Sequence, residues 1–101
     1  MIDFVEGTLA YLDAEYIVIE AGGIGYRLFC PNPYQFVRYE GTKTRLYTHH
    51  HVREDAILLY GFATREERDL YRKLLDVNGI GPKGALSILA AATPEQIVMA
   101  V

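Results

Sequence analysis

The fold of this chain is decided by residues 56–86, AILLYGFATREERDLYRKLLDVNGIGPKGAL, in which a strand pattern gives way to a helix pattern. Residues 56–62 form a short apolar and aromatic run, which is typical of a β-strand. Thr64 and Glu67 then form the T-x-x-E arrangement, in which each side chain can satisfy a free amide at a helix start. Apolar side chains follow at three- and four-residue spacing, at Leu70, Tyr71, Leu74 and Leu75. The sequence therefore predicts a strand that ends near residue 62 and a helix that begins at Thr64.

Upstream of this change, the chain has the composition of β structure. Segments rich in Val, Ile, Thr, Tyr and Phe alternate with turn-forming residues, and Gly22-Gly23 favours a tight hairpin because adjacent glycines accept positive φ angles. The predicted strands are residues 5–12, 16–20, 24–30, 43–52 and 56–62. Tyr34 to Tyr39 predict a short helix or an irregular bridge between the third and fourth strands. Five strands with a connector in that place predict a small β barrel of the OB-fold type.

Downstream, glycine and proline mark the ends of the predicted helices. Asn78-Gly79 should stop the first helix, and Pro82 suits the first turn of a second helix because that position has no intrahelical amide bond to lose. A third start signal stands at 93–96, TPEQ, and the apolar residues that follow reach Val101 without a stop signal. We expect the fold to be a β barrel plus α-helices, with the last helix truncated.

The turn between the first two predicted helices has the features of an anion site. Glycine at 79 and 81 allows unusual backbone angles and close approach of a phosphate, while Ile80 between them can point inward. The amides from Gly81 to Gly84, except that of Pro82, should face outward at a helix N-terminus, where the partial positive charge suits an anion, and Lys83 adds a full charge. A plain helical hairpin with glycine as its stop signal is the structural alternative.

The wider pattern V-x-G-I-G-P-K-x-A, residues 77–85, resembles the helix-hairpin-helix motif of DNA-binding proteins that do not read sequence. Such a motif contacts the sugar-phosphate backbone rather than base edges. The resemblance divides the chain into an OB-fold-like barrel at residues 1–63 and an incomplete helix-hairpin-helix region at 64–101. The expected DNA contacts are Gly79, Ile80, Gly81, Pro82, Lys83 and Gly84.

Composition excludes several classes of protein. No apolar stretch approaches the roughly 20 residues of a membrane helix, and the start lacks the pattern of a secretory signal, so we expect a cytoplasmic protein with no membrane partner. Cys30 is the only cysteine, which excludes an internal disulfide framework. Residues 49–51 are three consecutive histidines, but neighbouring side chains on a strand point to opposite faces, so we expect no metal site. The net charge is −3, so a contact with DNA must be local.

Taken together in order along the chain, these motifs closely resemble the RuvA family over essentially the whole sequence. The matching segments are residues 1–12, the GGIGY hairpin at 22–26, the run VREDAILLYGF at 52–62 and the hairpin GIGPKGAL at 79–86. The resemblance implies the junction-binding subunit of a branch migration complex in DNA recombination, repair and the SOS response. It also implies a homotetramer lying against four-way (Holliday) junction DNA, without a catalytic role and without a cofactor.

The resemblance also assigns roles to the charged turn between the last two strands. Glu54 and Asp55 match the acidic pin of the family, and Arg53 is a further candidate for a DNA contact at its rim. Members of the family are longer than this chain, with a second helix-hairpin-helix and a C-terminal domain that engages the RuvB motor ATPase. We therefore expect that these residues alone do not engage the motor.

Two other functions compete with this interpretation. A generic OB and helix-hairpin-helix protein for single-stranded DNA would use a similar barrel, whose tyrosines could stack on bases. A DNA glycosylase would pair the hairpin with a catalytic residue, for which Asp76 and Lys83 are the nearest candidates. Preference for a four-way junction over duplex and single strand separates the first alternative, and base excision would indicate the second.

Overall fold

A computed structural model of the chain describes residues 1–92. It contains β1 (Phe4–Leu12), β2 (Tyr16–Ala21), β3 (Ile24–Phe29), the 3-10 helix η1 (Pro33–Tyr39), β4 (Lys43–Val52), β5 (Ile57–Phe62), α1 (Arg65–Leu75) and α2 (Pro82–Ala91). The five predicted strands are confirmed, and their ends differ from the prediction by one residue at most. The connector is a short 3-10 helix, and the third predicted helix lies outside the described residues.

The strands form a closed barrel in the order β1-β2-β3-β5-β4, which confirms the predicted OB-like barrel followed by helices. Neighbouring strands are antiparallel except β3 and β5, which meet in parallel with Phe29 opposite Tyr60. At Gly7 the strands approach so closely that a Cβ would collide with the carbonyl oxygen of Glu20. Glycine is therefore required there by space, because β1 passes between β2 and β4.

The barrel encloses the first of two hydrophobic cores. Its fully buried side chains come from four strands and include Leu9, Ile17, Ile19, Leu28 and Leu46. These positions follow the two-residue period that turns alternate side chains toward one face of a strand. Burying each such side chain stabilises the fold by roughly 1.5–3 kcal/mol before the entropy cost is counted.

The second core joins the helices to the barrel. Tyr60 and Phe62 of β5 pack against Tyr71 and Leu74 of α1, and Leu89 of α2 completes the cluster. The rings of Phe62 and Tyr71 lie 4.9 Å apart, and those of Tyr60 and Tyr71 are stacked at 5.4 Å. Because one cluster contains residues of β5 and of both helices, the helical hairpin is held in place by the barrel wall.

An ion pair made by one buried arginine adds to this attachment. Arg68 of α1 is only 5% exposed, and its Nη1 lies 3.2 Å from both the carbonyl oxygen and the Oδ1 of Asp3. A buried guanidinium needs such partners, because burying a charge without hydrogen bonds is costly. Arg68 therefore joins the start of the chain to the first turns of α1. Within residues 1–92, no helix is long and apolar enough to cross a membrane.

Candidate nucleic-acid interface

The two helices are joined by a compact turn at residues 76–81. The amide of Val77 donates to the carbonyl of Leu74, and the amide of Ile80 donates to the carbonyl of Val77, each at 3.1 Å. Gly79 has a φ of +86°, in the left-handed region that favours glycine. The helix therefore ends at Leu75, a few residues before the Asn78-Gly79 stop signal, and the left-handed glycine turns the chain toward α2.

Ile80 fixes this turn to the protein. It is half-buried and packs against the second core, while Gly79 and Gly81 on either side are exposed. The side chain between the two glycines points inward, as the G-x-G spacing predicts. The apolar contact holds the turn while its backbone remains open to solvent.

The N-terminus of α2 presents backbone amides without an intramolecular partner. The first helical bond runs from the amide of Ala85 to the carbonyl of Gly81 at 2.9 Å, and within residues 1–92 no backbone bond engages the amides of Gly81, Lys83 and Gly84. Unpaired amides at a helix start carry partial positive charge and suit an anion. The Lys83 side chain is exposed and makes no ion pair with any described residue.

Gly81 differs from the expectation in one respect. Its φ is −96° and its ψ is −178°, an extended conformation open to any residue, so unusual backbone angles do not require glycine there. A Cβ at this position would meet nothing within 4 Å. Gly81 therefore contributes open space above the helix N-terminus, and Gly79 alone contributes the left-handed turn.

The tight turn at Arg53 to Ala56 carries the two carboxylates matched to the pin. The amide of Arg53 donates to the carbonyl of Ala56 at 2.7 Å, which leaves Glu54 and Asp55 at the exposed tip between β4 and β5. The Nε atom of Arg53 lies 3.9 Å from Oδ1 of Asp55, and both side chains are largely exposed. Such an exposed ion pair is worth little, so Arg53 remains free to turn toward another anion.

A cleft of about 380 Å³ lies between α2 and the barrel. Phe29 and Leu58 line its barrel side, and Lys83 lies at its helical side, with Tyr60 among the lining residues. The positive charge of Arg53 acts on the Tyr60 hydroxyl, whose pKa is nonetheless raised because the ring is buried. Tyr60 therefore lies near Arg53 of the β4–β5 turn and also lines the cleft shared with the helical hairpin.

Sequence reasoning missed a contact between α1 and β4. The Nε atom of Arg72 donates to Nδ1 of His49 at 3.2 Å, and the His49 ring lies edge-on to Tyr71 at 5.4 Å. Burial, followed by the charge of Arg72, lowers the pKa of His49 below its usual value. The period-two pattern could have placed His49 and His51 on one face of β4, but no sequence signal pairs either with α1.

The described residues give little support for a reactive cysteine or a metal site. Burial raises the pKa of the Cys30 thiol to about 12, so this side chain behaves as an apolar core residue and not as a nucleophile. No group of three or more potential metal ligands occurs within residues 1–92. The rings of His49 and His51 do lie 6.0 Å apart on one face of β4.

The closed five-stranded barrel places the chain in the class of OB-fold proteins, here with a helical hairpin fixed to the barrel wall. A family model described as the RuvA N terminal domain matches residues 1–61, and the chain belongs to this family. The family match ends one residue before the end of β5, so it covers nearly the whole barrel.

Three curated relatives carry the name "Holliday junction branch migration complex subunit RuvA". The relative from Brevibacillus brevis is 88% identical over all 101 residues, which make up 49% of that protein. Relatives from Geobacillus sp. and Halalkalibacterium halodurans are 56% and 52% identical over the whole chain, and the match covers 50% of each. The chain spans about half the length of the curated relatives it matches.

Proposed function

We propose that this chain is the junction-recognising part of a Holliday junction-binding subunit in branch migration, and that it holds DNA by its backbone without reading sequence. The names of its relatives describe subunits of a branch migration complex. The same function places it in DNA recombination and repair, in the bacterial cytoplasm where the DNA lies. We assign it no catalytic step and no cofactor.

The observation that carries this proposal is the open N-terminus of α2. Amides of Gly81, Lys83 and Gly84 are unpaired within the described residues, the Lys83 side chain is exposed, and the space above Gly81 is empty. A phosphate at this place would receive main-chain hydrogen bonds, the helix dipole and a full positive charge. Gly79, Ile80 and Pro82 shape the turn. None of these groups distinguishes one base from another, so binding is independent of sequence.

The acidic tip explains preference for a junction. The proposed homotetramer brings the pins of four copies together, and four times the pair Glu54 and Asp55 gives eight carboxylates near the point of strand exchange. These charges repel the phosphates of a continuous duplex that crosses the centre, and an open junction avoids this repulsion. Specificity thus comes from a repulsive element, which also reconciles the net charge of −3 with DNA binding.

We divide the chain by role into a barrel at residues 1–63 and a helix-hairpin-helix region at 64–101. The barrel carries the pin and the wall against which the hairpin packs. The hairpin binds the sugar-phosphate backbones of the duplex arms. A RuvB-like motor ATPase is the proposed partner of the longer family members. Because this chain spans about half of its relatives, we propose that motor engagement needs residues beyond it.

A second candidate, binding of single-stranded DNA, is favoured by one feature of the barrel surface. Tyr11 is 50% exposed and lines a shallow concavity together with Arg27, whose guanidinium lies 4.2 Å from the centre of the Tyr16 ring. Exposed aromatic and arginine side chains can stack on bases of any sequence. This candidate predicts no preference for a junction.

Competition binding separates the two functions. A labelled four-way junction bound by the full chain is challenged with unlabelled junction, duplex and single strand of equal total length. The proposed function predicts that the junction competes at least tenfold better than duplex or single strand. Equal competition by all three, or better competition by single strand, would favour the second candidate.

The pin is tested by removing its charge. The double variant Glu54→Gln, Asp55→Asn keeps the shape of the turn, and we expect it to bind plain duplex more tightly by roughly three- to tenfold, because the repulsion is lost. The control is the double variant Glu40→Gln, Glu66→Gln, which removes the same charge from exposed positions elsewhere. If the control gains as much duplex affinity as the pin variant, net charge and not the pin governs the preference.

A further inference from the structure

The three histidines of β4 are not used by the proposed hairpin and pin, and the structure separates them. Alternation along the strand places His49 and His51 on one face and His50 on the other. Arg53 follows one residue beyond the strand, in register with His51, and its amide and carbonyl pair with Ala56. The rings of His49 and His51 lie 6.0 Å apart, which confirms their shared face. This face runs from the contact with α1 to the base of the pin.

His51 occupies the middle of this face and has free polar atoms. Its ring is half-buried and meets Tyr60 edge-on at 6.2 Å and 88°. Within residues 1–92 no side-chain hydrogen bond engages His51, whereas Nδ1 of His49 already accepts from Arg72. His51 is therefore held in position by an apolar contact, with its polar edge available to a ligand.

The surroundings of His51 are positive. His49 precedes it on the same face of β4, and Arg53 follows just after the strand. From α1, Arg72 reaches His49, and from β5 His51 meets the neutral Tyr60. Tyr60 also lines the cleft that has Lys83 on its opposite wall. Of the carboxylates in this region, Asp55 is paired with Arg53 at 3.9 Å, and Glu15 is among the other lining residues of the cleft. An anion that reaches His51 thus lies between the cations of the pin base and of the hairpin.

We propose that His51 and Arg53 form a second phosphate-binding site, which holds the DNA strand between the helical hairpin and the acidic pin. This inference rests on the proposed function and deepens it. The phosphate at this site would be the last one bound before the tip, because Glu54 and Asp55 repel the following phosphate of the strand. The two sites, both next to Tyr60, guide one strand toward the place where strands exchange.

Binding at such a site is coupled to proton uptake. Histidine changes charge between about pH 5 and 8, and a phosphate oxygen beside the ring favours the charged form. The bound strand therefore gains one charge-assisted hydrogen bond as the pH falls. Each additional phosphate contact also steepens the dependence of the logarithm of affinity on the logarithm of salt concentration by about 0.9.

The test measures binding of a labelled four-way junction by fluorescence anisotropy at pH 6 and pH 8, at fixed ionic strength in phosphate-free buffer. For the unmodified chain we expect affinity roughly three- to tenfold higher at pH 6, with a steeper salt dependence. His51→Gln should lose this gain, and His51→Lys should bind at pH 8 as tightly as the unmodified chain binds at pH 6. His50→Gln, on the opposite face, is the matched control and should keep the gain. Circular dichroism checks the fold of each variant at both pH values.

The outcomes separate this inference from the function on which it rests. No junction binding at either pH would overturn the proposed function itself. Junction binding with a pH gain that persists in His51→Gln, or is lost in His50→Gln, or no increase in affinity for His51→Lys, would overturn the second site alone. Inorganic phosphate alone, titrated to millimolar concentration, should leave the ring NMR signals of His51 unmoved; a saturable shift would instead assign the site to free phosphate.

Discussion

Thr64 shows how a single residue begins the helical part of the chain. Its Oγ1 accepts a hydrogen bond from the amide of Glu67 at 3.1 Å, as the T-x-x-E pattern predicts. Within residues 1–92 no hydrogen bond joins the amide of Thr64 to the Glu67 carboxylate, so the reciprocal bond is not formed, and Oε1 of Glu67 is buried without a hydrogen-bond partner. Burial raises the pKa of Glu67 above its usual value, against a backbone hydrogen bond at Ala63 that lowers it. The charged form of this carboxylate therefore destabilises the folded state.

This destabilisation predicts the effect of Glu67→Gln. Because the pKa of Glu67 is raised in the folded state, protonation of this carboxyl stabilises the fold. This contribution to stability is fully present below about pH 4.5 and is lost as the pH rises through the folded pKa. At pH 7 the amide should raise the free energy of unfolding by about 1 kcal/mol, a figure reduced for partial exposure. Urea unfolding at pH 7 and pH 4 measures this gain, which should shrink at the lower pH.

The exposed neighbour Glu66 provides the control for this variant. Glu66→Gln loses the same attraction to the helix N-terminus but relieves no burial, so we expect no gain or a small loss in stability. If Glu66→Gln stabilised the fold as much as Glu67→Gln, the effect would be one of net charge and the burial argument would be wrong.

The hairpin shows what sequence can and cannot predict about single residues. Gly79, Ile80 and Lys83 were predictable, because a left-handed turn, an inward anchor and an exposed cation each follow from local spacing. The bond between Arg72 and His49 was not, because it joins α1 to β4 across 23 positions of the chain. Contacts of that kind depend on how the helix is placed on the barrel, and local patterns do not contain this information.

At the scale of elements, strand predictions succeeded because each strand carries its own period and its own turn residues. The helix end was predicted less well. Asp76 and Val77 donate to carbonyls three residues back, so the last turn of α1 tightens after Leu75, before the glycine that was expected to end it. Such tightening satisfies carbonyls at the helix end and leaves no distinct sequence signal.

The turn between α1 and α2 yields a prediction at this scale. A methyl group at Gly81 meets no protein atom and suits its extended backbone, so Gly81→Ala should change the free energy of unfolding by no more than about 0.5 kcal/mol. The same methyl occupies the space proposed for a phosphate, so junction affinity should fall by about tenfold or more. Thermal unfolding and anisotropy binding measure the two effects.

Gly79→Ala is the matched comparison, because its φ of +86° strains any other residue. It should destabilise the fold by about 1–2 kcal/mol. If Gly81→Ala left junction affinity unchanged while the fold was intact, close approach of DNA at this turn would be excluded.

For the whole molecule, closure of the barrel and the position of the helices lie beyond what sequence patterns show. The pairing of β3 with β5 is parallel and joins residues 31 positions apart, and no turn signal specifies it. The second core forms around the same strand, where Tyr60 and Phe62 meet Tyr71. The helical hairpin and the acidic turn between β4 and β5 are thus parts of one packed structure, and their relative position follows from the packing of β5.

The central claim is that this structure grips DNA through the exposed amides at the start of α2. Amide chemical shifts of the whole isotope-labelled chain, followed by NMR during titration with four-way junction DNA, test it most directly. We predict that the largest saturable shifts occur at Gly81, Lys83 and Gly84. Saturable binding of the junction with these three amides unmoved would contradict it.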